Sequence, residues 1–250
     1  MKRSRPSIHA HRGDAAHFPE NTLAAFREAL QTGVEGIEFD VHLSADGQPV
    51  VIHDYDLART TSGIGLVHER EYEYIRSISA GAWYPGDFAD ERVPHLDEVL
   101  ALGATEYEIE LKGLPTKRLV DAVAACVRNA DMTDRAEFTG HHLVSLSALR
   151  SSLDKPRLGL FVPPRADWMT DHLYQQVLSE TAALGGFEVL HLSVGELPRL
   201  DLTRFHDEGL RIHAHTIDSD DALDLVARSD VDYITTFDPA WALRGLTRER

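Results

Sequence analysis

The feature that most constrains this chain is the alternation of short apolar runs with amphipathic helical segments along nearly its whole length. Strand-like runs fall at 7–11, 35–41, 49–53, 106–112, 135–139, 157–161, 187–192, 211–216 and 231–236. Helical segments fall at 22–32, 95–102, 115–129, 145–153, 170–184, 201–208, 219–227 and 239–245. The first helix carries its own punctuation: Asn21 as N-cap after Pro19 and Glu20, then Leu23, Ala24, Phe26 and Leu30 on one face, and Gly33 as the stop. Alternation of this kind builds a parallel sheet covered by helices. Nine strands exceed an eightfold barrel by one, but no helix separates the second from the third. Between them lies Asp46-Gly47, a strong hairpin signal, flanked by Val41-His42-Leu43 and Val50-Val51-Ile52. A two-residue turn there pairs positions whose numbers sum to 93, setting Asp40 opposite His53 with Cβ atoms about 5 Å apart. Pro49 marks the return arm as a sheet edge. Removing that arm leaves eight strands in 250 residues, and the chain is predicted to be an α/β protein, a (β/α)8 TIM-type barrel forming one domain over 1–250.

The segment 55–94 is inserted between the hairpin and the next helix. It holds Arg59-Thr60-Thr61, Gly63, Gly65 and Trp83-Tyr84-Pro85-Gly86. It leaves from the mouth of the barrel and reads equally as a cap over a pocket or as a surface excursion with its own small apolar cluster.

Barrels of this class place chemistry at the C-terminal ends of their strands. The first strand ends in His11-Arg12-Gly13, and the second in Glu38-Phe39-Asp40, whose period-2 alternation sets both acids on one face. Glu106, Glu108 and Glu110 make the inward face of the third barrel strand all charge, with Lys112 at its end. Buried carboxylates demand compensation. Glu38, Asp40 and Glu110 are hard oxygen donors suited to one divalent cation, Mg2+ first, with Ca2+ and Mn2+ as alternatives. In the competing reading these acids only balance Arg12, Lys112 and the nearby histidines. Lys112 is one of four lysines, and the other three fall in loops or at helix ends. His11 and His53 flank the predicted metal as an acid and base pair, since imidazole titrates near neutrality. A cation with Arg12 and Lys112 would attract a phosphodiester and stabilise added charge in its transition state.

Charge narrows the partners. Lys and Arg total 25 against 41 Asp and Glu, a net −16, which opposes nucleic acid and anionic lipid surfaces. The single cysteine, Cys126, cannot form an internal disulfide, so a reducing compartment is favoured. The basic start is followed by His9, His11 and Arg12 where a signal peptide would be apolar. No run of about 18 apolar residues offers a membrane span. The expectation is a cytoplasmic protein without stable membrane insertion, acting on a small-molecule phosphodiester and not on nucleic acid; its oligomeric state is left open.

The motifs together resemble the glycerophosphodiester phosphodiesterase family. They run through His11-Arg12-Gly13, Pro19-Glu20-Asn21-Thr22 with Ala25-Phe26, Glu38-Phe39-Asp40-Val41, Asp46-Gly47, Val50-Val51-Ile52-His53-Asp54, Arg59-Thr60-Thr61, Pro94 with Leu96-Asp97-Glu98-Val99, and Glu110-Leu111-Lys112. The resemblance implies a barrel enzyme with a small cap that hydrolyses glycerophosphodiesters to glycerol 3-phosphate and an alcohol. It implies Glu38, Asp40 and Glu110 as metal ligands, His11 and His53 as acid and base, and Arg12 and Lys112 as phosphate contacts. Departures gather in the second half, at Thr139-Gly140-His141-His142, His215-Thr216-Ile217-Asp218 and Thr236-Phe237-Asp238-Pro239. His215 stands where the family usually has a tryptophan lining the alcohol slot, which makes it a substrate-binding candidate. His141, His191 and His215 would make this pocket more polar than the family norm. Trp83 and Phe161 read as an apolar wall for the leaving group or as core packing, and Glu20 as an Arg12 contact or a first-turn acid. Two other functions compete: a phospholipase D-like phosphodiesterase on a similar barrel, and a catalytically retired barrel that binds a phosphorylated metabolite.

Overall fold

The computed structural model describes residues 5–247; residues 1–4, most of the basic start, and 248–250 lie outside the described residues. The strands are β1 (Ser7–His11), β2 (Gly36–Leu43), β3 (Pro49–Val51), β4 (Glu106–Leu111), β5 (Ala136–Thr139), β6 (Arg157–Phe161), β7 (Val189–Ser193), β8 (Arg211–His215) and β9 (Tyr233–Thr236). The helices are α1 (Leu23–Gln31), α2 (Tyr72–Ser77), α3 (Leu96–Leu100), α4 (Lys117–Asn129), α5 (Leu143–Leu149), α6 (Asp171–Gly185), α7 (Leu202–Asp207), α8 (Asp220–Arg228) and α9 (Pro239–Thr247). The sheet runs β1-β9-β8-β7-β6-β5-β4-β2-β3, and β1 also pairs with β2. That last pairing closes eight parallel strands into a barrel, with β3 as an antiparallel arm outside it. Among the described residues no helix is long and apolar enough to cross a membrane.

Strand alternation sorts the side chains. Ile8, Ala10, Ile37, Phe39, Tyr107, Ile109 and Leu111 belong to the main apolar core, together with Phe26 of α1, Leu96 of α3 and Val123 of α4. In α4, Leu119, Val120, Val123, Ala124 and Val127 are buried at helical spacing, and the Thr116 hydroxyl caps the helix by accepting from Leu119 N. The opposite strand faces, led by Glu106, Glu108 and Glu110, turn into the barrel.

Two local readings are corrected. The hairpin pairs Val41 with Val51, His42 with Val50 and Leu43 with Pro49, so the register is one residue off the expected one. Ser44 N donates to Gln48 O at 2.9 Å, which makes the loop three residues, Ala45-Asp46-Gly47. Gly47, at φ 92°, takes the left-handed position that a three-residue loop requires. Ile52, not His53, therefore faces Asp40, and Ile52 N donates to Asp40 O at 3.0 Å. The cap of α1 is Thr22, whose hydroxyl accepts from Ala25 N at 3.3 Å, not Asn21.

Segment 55–94 holds α2 and a second apolar cluster, in which Leu57, Val67, Ile75, Ala80 and Val93 pack with Val50 and Ile52 from the hairpin arm. No sequence signal marked α2.

Candidate active site

Where β1 ends, the backbone turns sharply: Arg12 sits at φ 58° and Asn21, just before α1, at φ 57°. Left-handed backbone at two non-glycine residues costs about 1–3 kcal/mol each, and both side chains face the mouth. Arg12 N donates to the Glu38 carbonyl and to Glu38 Oε2, its Nη1 donates to Glu20 Oε1 at 3.0 Å, and its Nε lies 3.3 Å from Asp40 Oδ2. Asn21 Nδ2 donates to the same Asp40 oxygen at 2.9 Å. Lys112 Nζ lies 2.9 Å from Glu110 Oε1 and 3.7 Å from Asp40 Oδ1. Asp40 thus collects a guanidinium, an amide and an ammonium.

The ligand oxygens of Glu38, Asp40 and Glu110 lie within 4.8 Å of one another, and all three residues are buried. Asp40 Oδ1 makes no hydrogen bond. Burial and the neighbouring carboxylates of Asp40, Glu108 and Glu110 push the Glu38 carboxyl well above its ordinary range. Burial, with Asp40 next to it, pushes Glu110 up to about 7. Asp40 moves the other way: burial opposes ionisation, but Arg12, His53, Lys112 and the Asn21 hydrogen bond outweigh it. Three carboxylates share one point with less positive charge than they need, and a divalent cation would fit that deficit.

Two imidazoles stand on either side. His11 Nε2 is 3.6 Å from Glu38 Oε2, its ring lies 4.4 Å from the Phe237 ring, and its Nδ1 has no hydrogen bond. Burial, with Arg12 beside it, lowers its pKa to about 4, so it is a neutral imidazole at pH 7. His53 Nδ1 donates to Asp54 Oδ1 at 2.6 Å. Arg59 grips Asp54 with Nε and Nη2 and reaches Glu20 with Nη1 and Nη2 at 2.9 and 2.8 Å. His53, Asp54, Arg59, Glu20 and Arg12 therefore form one continuous hydrogen-bonded arc around the mouth. His11 lines a cavity of about 270 Å³ and His53 an adjoining one of about 450 Å³, and the two share Glu110, Lys112 and His141.

All eight sequence-predicted site residues gather at this mouth: His11, His53, Arg12, Lys112, His215, Glu38, Asp40 and Glu110. The shifted hairpin register does not remove His53, because it lies beyond the last paired residue of β3. Phe161 and His141 line the cavity with His215, and their rings pack together, His141 to Phe161 at 5.2 Å and Phe161 to His215 at 5.7 Å. His191 is corrected: it is 1% exposed, inside the barrel, and does not line the mouth. Trp83 is corrected as well, since it packs on Tyr84 within the insertion, its indole bonded to Ala80 O. Asn21 was missed as a site residue because its position before a helix signals a cap; Asp54 and Arg59 had a motif but no role.

A family model described as "Glycerophosphoryl diester phosphodiesterase family" matches residues 11–240. The chain belongs to that family. It is 30% identical over 239 residues to a glycerophosphodiester phosphodiesterase of Caldanaerobacter subterraneus subsp. tengcongensis, covering 92% of this chain and 93% of the relative. Its fold matches the crystal structure of a glycerophosphodiester phosphodiesterase from Agrobacterium tumefaciens with a TM-score of 0.81 and 29% identity, over 95% of this chain and 99% of that one. A phosphodiesterase from Oleispira antarctica, solved in complex with the product sn-glycerol-3-phosphate, matches with a TM-score of 0.82 and 25% identity over 98% of each chain. Membership makes this chain a hydrolase of the glycerophosphodiester phosphodiesterase class.

Proposed function

We propose that this glycerophosphodiester phosphodiesterase cleaves glycerophosphodiesters to glycerol 3-phosphate and an alcohol, using a divalent cation and two histidines. The observation that carries the reading is the convergence of three buried carboxylates, Arg12, Lys112 and two imidazoles at one mouth. The product complex of the Oleispira relative supports glycerol 3-phosphate as the product. Glu38, Asp40 and Glu110 would hold the cation, Mg2+ in first place with Ca2+ and Mn2+ as alternatives; when bound it supplies neutralising charge at a phosphoryl oxygen. Arg12 and Lys112 bind the phosphate and stabilise the charge that builds on it. His11 is the base, because burial keeps its imidazole unprotonated and its ring lines the cavity with Nε2 beside Glu38. His53 protonates the leaving oxygen, with Asp54 fixing its ring so that Nε2 is the free nitrogen. His141, Phe161 and His215 form the wall on which the alcohol group rests, which favours a hydroxylated or charged alcohol. We read 55–94 as a cap, since it delivers Tyr55, whose hydroxyl donates to Lys112 O at 2.6 Å, and Arg59 to the rim.

The test is turnover of glycerophosphocholine, glycerophosphoethanolamine and glycerophosphoglycerol with Mg2+ and again with a chelator. At least one diester is hydrolysed in a chelator-sensitive manner, and His11→Ala lowers kcat by at least ~100-fold. No turnover of any of the three with metal present leaves the retired binding barrel as the better reading, and wild-type rates in His11→Ala remove His11 from the chemistry.

A further inference from the structure

One layer below the mouth, the same strands carry a second cluster. His9 precedes His11 by two residues on β1, Glu108 precedes Glu110 on β4, and His213 precedes His215 on β8. Period-2 alternation points all three into the barrel, about 7 Å beneath the mouth. None is more than 2% exposed. Interior layers of such barrels are usually filled by branched aliphatic side chains. Here two strands give up side chains to make room: a Cβ on Gly36 would stand 2.5 Å from the His9 ring, and one on Gly159 would stand 2.5 Å from Glu137 Oε1 and 2.6 Å from His191 Nε2.

Glu108 is the centre of the cluster. It faces His9 Nδ1 at 3.2 Å, His191 Nδ1 at 3.5 Å and His213 Nε2 at 3.6 Å. Among the described residues no lysine or arginine pairs with it; the charge-bearing groups facing this buried carboxylate are imidazoles, and the Thr235 hydroxyl donates to Oε2 at 3.5 Å. The Nδ1 atoms of His191 and His213 make no hydrogen bond. Glu106 Oε2 lies 2.9 Å from His9 Nε2 and holds the ring with Nδ1 facing Glu108, the role that outer carboxylates play behind metal-bound histidines. Metal bonds of about 2.0–2.1 Å in a tetrahedral site set neighbouring donors about 3.3 Å apart. The spacings around Glu108 bracket that value, and the donor atoms of His9, Glu108 and His213 all lie within 4.8 Å of one another.

We propose that His9, Glu108 and His213 form a second divalent-metal site inside the barrel, separate from the mouth and selective for a nitrogen-preferring transition ion such as Zn2+. Two imidazoles and one carboxylate suit Zn2+ or Co2+, whereas the three carboxylates above suit Mg2+ or Ca2+. The ion ties together β1, β4 and β8, which are far apart in sequence. Glu108 and Thr235 line the mouth cavity, and that cavity is the entry path. Thr235 Oγ1, 2.6 Å from His213 Nε2, closes one side of the site.

The experiment uses Zn2+ on the whole chain. Chelator-stripped wild type, an Asp40→Asn/Glu110→Gln variant and the same variant carrying His213→Asn are loaded with Zn2+, desalted and analysed for metal. The mouth variant keeps about one zinc per chain, as a buried site with three protein ligands should, and adding His213→Asn abolishes it. Equal zinc in the two variants, or none in the mouth variant, overturns the site. Wild-type crystals soaked in Zn2+ and measured at the zinc edge decide the matter even if His213→Asn does not fold. An anomalous peak between His9, Glu108 and His213 supports the site; peaks confined to the mouth, or no peak, overturn it.

Discussion

The mouth and the layer beneath it share β1, β4 and β8, yet their buried carboxylates Glu110 and Glu108, two residues apart on β4, are in opposite states. At the mouth, burial first and the facing carboxylates second push Glu38 and Glu110 up. Two residues deeper on the same strand as Glu110, Glu108 is held well below the usual carboxylate range, since His213, His191 and His9 outweigh the burial that opposes its charge. Burial raises all three, and only the imidazole neighbours of Glu108 reverse the sign. The upper layer is short of positive charge and hard in its donors; the lower one is rich in nitrogen. One barrel thereby presents two chemically distinct environments a single side-chain layer apart.

Asp40→Asn strikes the upper layer at its anchor. Of the three candidate ligand carboxylates, Asp40 is the one held ionised without an added cation, and it anchors Arg12, Asn21 and Lys112 at once. Its loss is expected to lower kcat on a glycerophosphodiester by ~10³-fold or more, about 4 kcal/mol of barrier. A loss below tenfold, measured with Mg2+ present, would mean that the acids serve only as charge balance.

The metal-free protein offers a second test, because the two layers lose stability in different pH windows. Glu110 binds its proton more tightly folded than unfolded, so stability falls as pH rises from about 4.5 through 7. His9 is also raised: burial opposes its charge, but Glu106 and Glu108 prevail and carry it to about 9. Its contribution is complete below 6.5 and is lost as pH rises through 9. Each window spans about 3 kcal/mol at most. Denaturation midpoints against pH should show both declines. Glu110→Gln should flatten the lower one and His9→Gln the upper one. A His9→Gln profile parallel to wild type between pH 6.5 and 9 contradicts the ion pairing of His9 with Glu106 and Glu108.

What the sequence disclosed follows the same division. The mouth was legible because β1, β2 and β4 end in residues whose alternation and position are both local facts. His11, Glu38, Asp40, Glu110 and Lys112 needed only the barrel to bring them together. The interior cluster was half legible: Glu106 and Glu108 announced a charged inward face, but the Glu108 partners His191 and His213 come from β7 and β8, about 80 to 100 residues away at ~10 residues per element. Period 2 says which way a side chain points and not at which height it meets the opposite strands, so His191 was expected at the mouth with His215. Asp46-Gly47 located the hairpin correctly, but the dipeptide suits both two- and three-residue loops, and one residue of loop moved the register.

Arg59 supplies the smallest and most discriminating test, because it belongs to neither layer and touches no candidate ligand of the cation. It lies on the exposed rim, and its guanidinium holds Asp54 on one side and Glu20 on the other. Asp54 orients His53, and Glu20 orients Arg12. Residues that act through another typically cost 10- to 100-fold when removed. For a partly exposed arginine, Arg59→Ala should lie near ~10-fold in kcat, with the cation affinity unchanged. Lysine cannot grip both carboxylates with a planar fork, so Arg59→Lys should recover little. Full recovery in Arg59→Lys would show that only charge is needed at the rim, and a shift in cation affinity would show that the arc of hydrogen bonds reaches the metal-binding carboxylates after all.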